Sequence, residues 1–326
     1  AFQAATARHR CDNRGNIRRK ALHHQWLTGK KPWFDVNRFR RIFIEPCFNV
    51  CNLRCTSCPV GQNLHLPGMA KGTLSIDLFQ QIWNTSLTGY RGEIALYNWG
   101  EPFLNPDLPK IVGYIKKHSA ARLILNSNFS FNFDDRILEI LGHLEDDTII
   151  ISCDGFSQKI CEEYRVKVDF DLVMHNIELM NRRKKPQTNL FWQYLKFPWN
   201  SADQAPAENY CKTQNIVLYY GAGGIVPHYP ILPTPQPAKN NSSRCNFYLT
   251  ALSINYDGEV YPCCAYYGPQ KYSLGNAAQT SLKHIFTRGK GKEMLDYLTH
   301  KSPGHDGLFC KHCVERNVAE LASWQQ

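Results

Sequence analysis

The chain has 326 residues, 43% of them hydrophobic, enough to bury a sizeable core as one large domain or two. No apolar run approaches the ~20 residues of a membrane helix, and no apolar stretch backs the basic N-terminus as a secretory signal requires, so the expected location is cytoplasmic, with no membrane contact. The net charge of +10 is local: residues 1–41 carry 11 Lys/Arg against Asp12 and Asp35, and the rest of the chain is close to neutral.

Residues 1–40 therefore read as a basic N-terminal extension, either a solvated arm or an electrostatic contact for an anionic partner. Trp26, Trp33, Phe34 and Phe39 interleave with its charges, as aromatics do in RNA-binding segments. A strand is expected at 41–46, rich in β-branched and aromatic residues. It leads into CNLRCTSC, residues 51–58, with Cys47 just ahead. Residues 75–86 read as a helix behind a Ser N-cap. Further strands are expected at 93–99, 122–128, 147–155, 189–197 and 216–222. Helices are expected between them at 108–119, 134–144, 157–165, 169–185 and 208–215.

This alternation means parallel βα units in an α/β sheet or barrel. Sites in such folds gather at the C-terminal ends of the strands. Cys51 to Cys58, Gly100-Glu101-Pro102, Asn126 with Asn128, and Ser152 with Asp154 all fall there. Asp154 is also placed to cap the next helix. On the fifth strand, one of Trp192 and Gln193 faces inward and the other packs outside. Residues 223–244, rich in Pro, Gly and Asn, read as a linker. A hairpin turning at Asp257-Gly258 follows, then two helical stretches and the pair Cys310 and Cys313.

The 13 cysteines are an odd number without a secretory signal, which argues against a disulfide framework. Most gather in two groups, Cys47 to Cys58 and Cys245 to Cys313, a pattern of metal ligation. Three thiolates at C-x3-C-x2-C spacing suit three corners of an iron–sulfur cubane with one iron left open. Zinc sites take four ligands, and a four-cysteine ferredoxin run is absent. Cys47 as a fourth ligand would close the site. Cys153, Cys161 and Cys211 read as packed core thiols or, alternatively, as hydrogen-atom donors.

Together these segments resemble the radical S-adenosylmethionine (SAM) superfamily. Besides the cysteine loop, Asn98-Trp99-Gly100-Glu101-Pro102-Phe103-Leu104-Asn105-Pro106 is similar to its GGEP-type segment, which meets the amino group of SAM. Ser152-Cys153-Asp154-Gly155, then Glu163-Tyr164-Arg165 and Asp169-Phe170-Asp171, is similar to a stretch of members with a SPASM domain, where the Ser and Arg contact SAM. Asn126-Ser127-Asn128 is similar to the third-strand segment near the ribose. Cys245, Gly258 with Cys263, Leu274-Gly275-Asn276, and Cys310 with Cys313 are similar to a SPASM domain. Ser57 departs from the pattern, which usually carries an aromatic residue before the third loop cysteine. The last cysteine run of a full SPASM domain has no counterpart here.

The resemblance implies a partial (β/α)6 TIM-like barrel over residues 41–235 and a small SPASM/twitch-like cluster domain over 236–326. It implies a [4Fe-4S] cluster on Cys51, Cys55 and Cys58, and one auxiliary [4Fe-4S] cluster on Cys245, Cys263, Cys310 and Cys313, with Cys264 as a substitute for Cys263. SAM is placed against Asn98, Gly100, Glu101, Pro102, Asn128, Ser152, Asp154, Arg165 and Gln193. The implied chemistry is reductive cleavage of SAM to a 5′-deoxyadenosyl radical that takes hydrogen from a substrate C–H bond. The expected reaction is dehydrogenation or epimerisation of a small molecule such as a sugar or aminocyclitol, with flavodoxin or ferredoxin as electron donor. The alternatives are radical modification of a ribosomally made peptide or of a nucleotide or RNA partner, and a non-catalytic iron–sulfur or zinc module. Forty residues of arm are short for a leader-binding domain, which favours the small molecule.

Overall fold

The computed structural model describes residues 34–63, 71–222, 250–264, 272–298 and 304. Its first strand is β1 (Arg41–Ile44), followed by a short antiparallel pair outside the main sheet, β2 (Cys47–Phe48) and β3 (Gly72–Thr73). The sheet resumes with β4 (Glu93–Leu96), β5 (Arg122–Ser127), β6 (Thr148–Ser152), β7 (Asn189–Lys196) and β8 (Val217–Ala222). With β1 these five run parallel in the order β1-β4-β5-β6-β7-β8. Helices α1 (Ile76–Ile82), α2 (Leu108–His118), α3 (Asp135–His143), α4 (Gln158–Tyr164), α5 (Phe170–Arg183) and α6 (Gln204–Thr213) fill the connections. This is the α/β alternation expected from the sequence, and among the described residues β8 is a sheet edge, so the sheet is open there.

Local chemistry sets the boundaries. Ser75, Asp134 and Asp169 accept backbone N–H bonds at the starts of α1, α3 and α5. After Ile82 the chain changes to a π-helical turn at Trp83–Leu87, so the helix expected over 75–86 is not uniform. Thr88 Oγ1 donates to Trp83 O at 3.2 Å, and Ser86 Oγ to Ala277 O at 2.8 Å. The Thr88 bond competes for a carbonyl of the turn itself at the change of pitch, and the Ser86 bond ties the turn to residue 277. The strands end earlier than their apolar runs, and the residues past β4 and β6 become site loops.

Strand alternation gives the sheet two faces. Ile94, Leu123, Leu125, Ile149, Ile151 and Trp192 pack with the helices in the main core. Phe43, Ala95, Ile124 and Ala251 form a separate inner cluster, joined by Tyr97, Ile150 and Cys264.

The expected hairpin exists, turning at Asp257-Gly258 with Gly258 at φ +87°, where only glycine is unstrained. It extends the main sheet. β9 (Ala251–Ile254) pairs in parallel with β1, and β10 (Val260–Tyr261) returns antiparallel along β9. Helices α7 (Leu282–Thr287) and α8 (Gly289–Leu298) follow. Phe34 and Phe39, from the end of the basic extension, pack against Phe286 of α7 at 5.8 and 5.1 Å between ring centres. Residues 1–33, with Trp26 and Trp33, lie outside the described residues. No helix among the described residues is long and apolar enough to cross a membrane.

Candidate active site

The cysteine loop leaves the C-terminal end of β1, and backbone bonds to two other connections hold it. Arg54 N–H donates to Val166 O and Thr56 N–H to Tyr164 O, both at 2.9 Å, which ties the loop to the end of α4 and the residues just after it. Asn49 N–H donates to Trp99 O at 3.0 Å and Glu101 N–H to Val50 O at 2.9 Å, which ties its start to the segment after β4. Glycine is required where these chains touch. A Cβ on Gly61 would strike Cys55 O, and one on Gly100 would strike Cys47 O.

Cys51, Cys55 and Cys58 line a single cavity of about 150 Å³, shared with Asn98, Gly100, Glu101, Asn128, Ser152 and Arg165. Burial pushes the Cys51 and Cys55 thiols up to about 12 and raises Cys58 as well. Metal binding by these sulfurs therefore releases protons. No three His, Cys, Asp or Glu side chains among the described residues converge as ligands of a single metal ion. Three thiols spread around one cavity suit a multi-iron cluster, whose corners stand apart, better than a tetrahedral zinc ion. The donor set thus fits the cubane with an open corner.

Glu101 is 2% exposed; its carboxylate accepts Asn128 N–H at 2.9 Å and Phe103 N–H at 3.3 Å. Burial pushes its pKa up to about 7, with these bonds acting the other way. Asn128 Nδ2 donates to Asn52 Oδ1 at 2.9 Å and lies 3.9 Å from Cys51 Sγ. Ser152 Oγ donates to Asn126 Oδ1 at 2.6 Å, and Asn126 Nδ2 to Gln193 Oε1 at 3.3 Å. Arg165 pairs with Asp154 at 2.7 Å, and its charge draws the Cys55 thiol downward against burial.

Three residues expected at SAM stand one layer behind the cavity wall. Pro102 opens a short turn, Pro102–Leu104, and is buried. Asp154 is committed to Arg165 and to Leu195 N–H at 2.7 Å, and Ser157 rather than Asp154 occupies the cap of α4. Gln193 supports Asn126 and Ser152 from the next strand, while Trp192 packs outside. Cys153, Cys161 and Cys211 are core residues, with the first two sulfurs 3.3 Å apart. Cys47 is buried in β2 and off the cavity wall.

Of the second cysteine group, Cys245, Cys310 and Cys313 lie outside the described residues. Cys263 and Cys264 follow β10, and Cys264 packs on the inner face. Sequence reasoning did not single out Asn52 and Tyr97. Tyr97 keeps the inward alternation of Ala95 on β4, a signal that was available; Asn52 has only its place beside Cys51.

Comparison with known proteins adds to this geometry. A family model for the radical SAM superfamily matches residues 46–192, and one for the SPASM iron–sulfur cluster-binding domain matches residues 245–314. No curated protein matches the chain. The solved structure of BtrN in complex with AdoMet and 2-DOIA is similar at 16% identity, over 81% of this chain and 90% of that one, with a TM-score of 0.51. Native anSMEcpe with bound AdoMet and Cp18Cys peptide is similar at 18% identity, over 79% and 83%, with a TM-score of 0.57. Streptococcus suis SuiB bound to S-adenosylmethionine is similar at 14% identity, over 77% and 66%, with a TM-score of 0.57. At these identities the likeness establishes a shared fold.

Proposed function

The chain is a radical SAM enzyme with a SPASM domain, and we propose that it removes hydrogen from a C–H bond of a small hydroxylated molecule, in a dehydrogenation or an epimerisation. Its cofactors are SAM and a [4Fe-4S] cluster, with auxiliary iron–sulfur binding in the SPASM domain. When bound, the cluster and SAM supply one-electron cleavage of the sulfonium C–S bond and the oxidising power to break a substrate C–H bond.

The observation that carries the reading is that three loop thiols share one cavity with Glu101, Ser152 and Arg165. Cys51, Cys55 and Cys58 hold three cluster corners, and no other described cysteine lines the cavity to claim the fourth. Glu101 and the backbone at Gly100 take the amino group of SAM. Arg165 takes its carboxylate, and Ser152 and Asn128 its ribose. Cys245, Cys263, Cys310 and Cys313 hold a single auxiliary cluster. Flavodoxin or ferredoxin supplies the electrons.

The inner sheet face supports a polar, uncharged substrate. Asn126 offers an amide, and Tyr97 and Tyr219 offer rings with hydroxyls. Arg41 is already met by Glu93 at 2.8 Å. The 2-DOIA in the BtrN structure also supports a small molecule. A peptide substrate is the second reading, favoured by the Cp18Cys peptide in the anSMEcpe structure. The arm's charge supports an anionic partner, and loss of salt-dependent binding on its deletion is the test.

The decisive assay offers reduced protein and SAM a panel of sugars, aminocyclitols and peptides. Stimulated 5′-deoxyadenosine formation with a polyol supports the proposal. A product short of two hydrogens marks dehydrogenation; a solvent deuterium on an unchanged mass skeleton marks epimerisation. Stimulation by peptides alone overturns the small-molecule reading.

A further inference from the structure

The turn that follows β5 carries backbone strain beside the cavity. Phe129 is fully buried and stands at φ +58°, in the left-handed region that a bulky residue rarely adopts. Side chains hold it there. Ser127 Oγ accepts Phe129 N–H at 3.1 Å, and Asn176 of α5 donates to Phe129 O at 2.8 Å and to Phe131 O at 2.7 Å. The turn presents Asn128, which is 5% exposed and lines the cavity of the three loop thiols. The sense of its amide is fixed, because Asn128 Oδ1 accepts Ser130 N–H at 2.8 Å, a group that can only donate. Asn52 is fixed likewise, because its Nδ2 donates to Ser130 O, a group that can only accept. Asn128 Nδ2 therefore faces Asn52 Oδ1 at 2.9 Å and Cys51 Sγ at 3.9 Å. One of its two hydrogens goes to Asn52, and the other is left for the sulfur.

We propose that Asn128 gives its second amide N–H to the Cys51 sulfur of the loop cluster, and that Asn52 is the positioning residue that keeps it aimed there. The inference rests on the reading that the loop holds an iron–sulfur cluster. Cysteine ligates metal as the thiolate, which accepts hydrogen bonds and gives none. A hydrogen bond to that sulfur favours the more negative, reduced cluster and so raises its potential. Asn52 Oδ1 also lies 3.9 Å from Cys51 Sγ. An amide oxygen beside a thiolate is repelled unless a donor engages it, and Asn128 is that donor. The second lone pair of Asn128 Oδ1 stays open for the ribose of SAM. One side chain thus serves both the cluster and SAM.

The test uses the full chain loaded anaerobically with iron and sulfide, with iron per chain measured on every variant. An EPR-monitored redox titration without SAM follows the signal that the Cys51/Cys55/Cys58→Ala variant lacks, which isolates the loop cluster from the auxiliary one. Asn128→Ala removes the donor without adding charge, and its midpoint is expected at more negative potential with iron unchanged. Asn52→Leu leaves Asn128 in place but unanchored, and is expected to move the midpoint the same way by less. Pulsed EPR in heavy water reads the contact directly: the wild type is expected to show an exchangeable proton coupled to the loop cluster that Asn128→Ala lacks. An Asn128→Ala midpoint that coincides with the wild type overturns the inference, and a shift in Asn128→Ala alone overturns the part given to Asn52. Loss of iron from either variant also overturns it, because a hydrogen bond to one sulfur leaves all three ligands in place. A wild type without the loop signal refutes the cluster reading itself and the inference with it.

Discussion

Arg165 and Asp154 form an ion pair at 2.7 Å, with side chains only 10% and 1% exposed. Asp154 also accepts Leu195 N–H at 2.7 Å, so it ties the end of β6 to β7 while holding the guanidinium at the cavity beside Cys55. Removing one member of a buried pair strands the other charge and costs about 3–5 kcal/mol. Asp154→Ala is expected to lose stability on that scale in denaturant unfolding. Arg165→Lys keeps the charge but loses the planar fork, and SAM binding is expected to weaken about tenfold or more, an effect worth ~1.4 kcal/mol or more. Unchanged stability in Asp154→Ala would show that the pair is not buried as described.

Glu101 gives the site a pH dependence. Burial raises its pKa to about 7, so the neutral acid prevails below that pH and the carboxylate above it. Only the carboxylate pairs with the cationic amino group of SAM. Affinity for SAM is expected to climb as pH rises through about 7 and then level off. Glu101→Gln is expected to bind weakly with a flat profile. Equilibrium dialysis across this range checks both, and a flat wild-type profile would remove Glu101 from that role.

Asp147 serves as a structural control at the far end of the sheet. It is fully buried, accepts Leu123 N–H at 2.7 Å and Glu145 N–H at 2.9 Å, and meets Lys116 at 2.9 Å. Asp147→Ala leaves two N–H groups unmet and is expected to cost about 2–4 kcal/mol. The folded fraction should bind SAM like the wild type, which separates stability from site effects.

The adjacent thiols after β10 should behave differently. Cys264 packs with Tyr97 and Ile150 against the inner-face cluster, and Cys263 is not part of that cluster. Cys264→Ser is expected to keep its iron, and Cys263→Ser to lose the auxiliary share. Iron analysis on both decides, and the reverse pattern would exchange their roles.

Much of the fold was legible because local signals agree with it. Apolar runs with turn residues marked all six parallel strands, and Ser75 marked the start of α1. The docking of β9 on the free edge of β1 was not legible, because that pairing joins residues about two hundred positions apart and no local pattern encodes it. At the site, spacing and superfamily likeness brought forward Cys51, Cys55, Cys58, Glu101 and Arg165. They could not tell wall from support. Asp154 read as a helix cap or a SAM contact because its partner, Arg165, lies across a turn.

The central claim is that CNLRCTSC carries a catalytic iron–sulfur cluster. Iron and acid-labile sulfide per chain, measured on anaerobically purified wild type beside the Cys51/Cys55/Cys58→Ala variant, tests it most directly. The account predicts about eight irons falling to about four, with SAM cleavage lost. Zinc in the wild type, or iron unchanged in the variant, would contradict it.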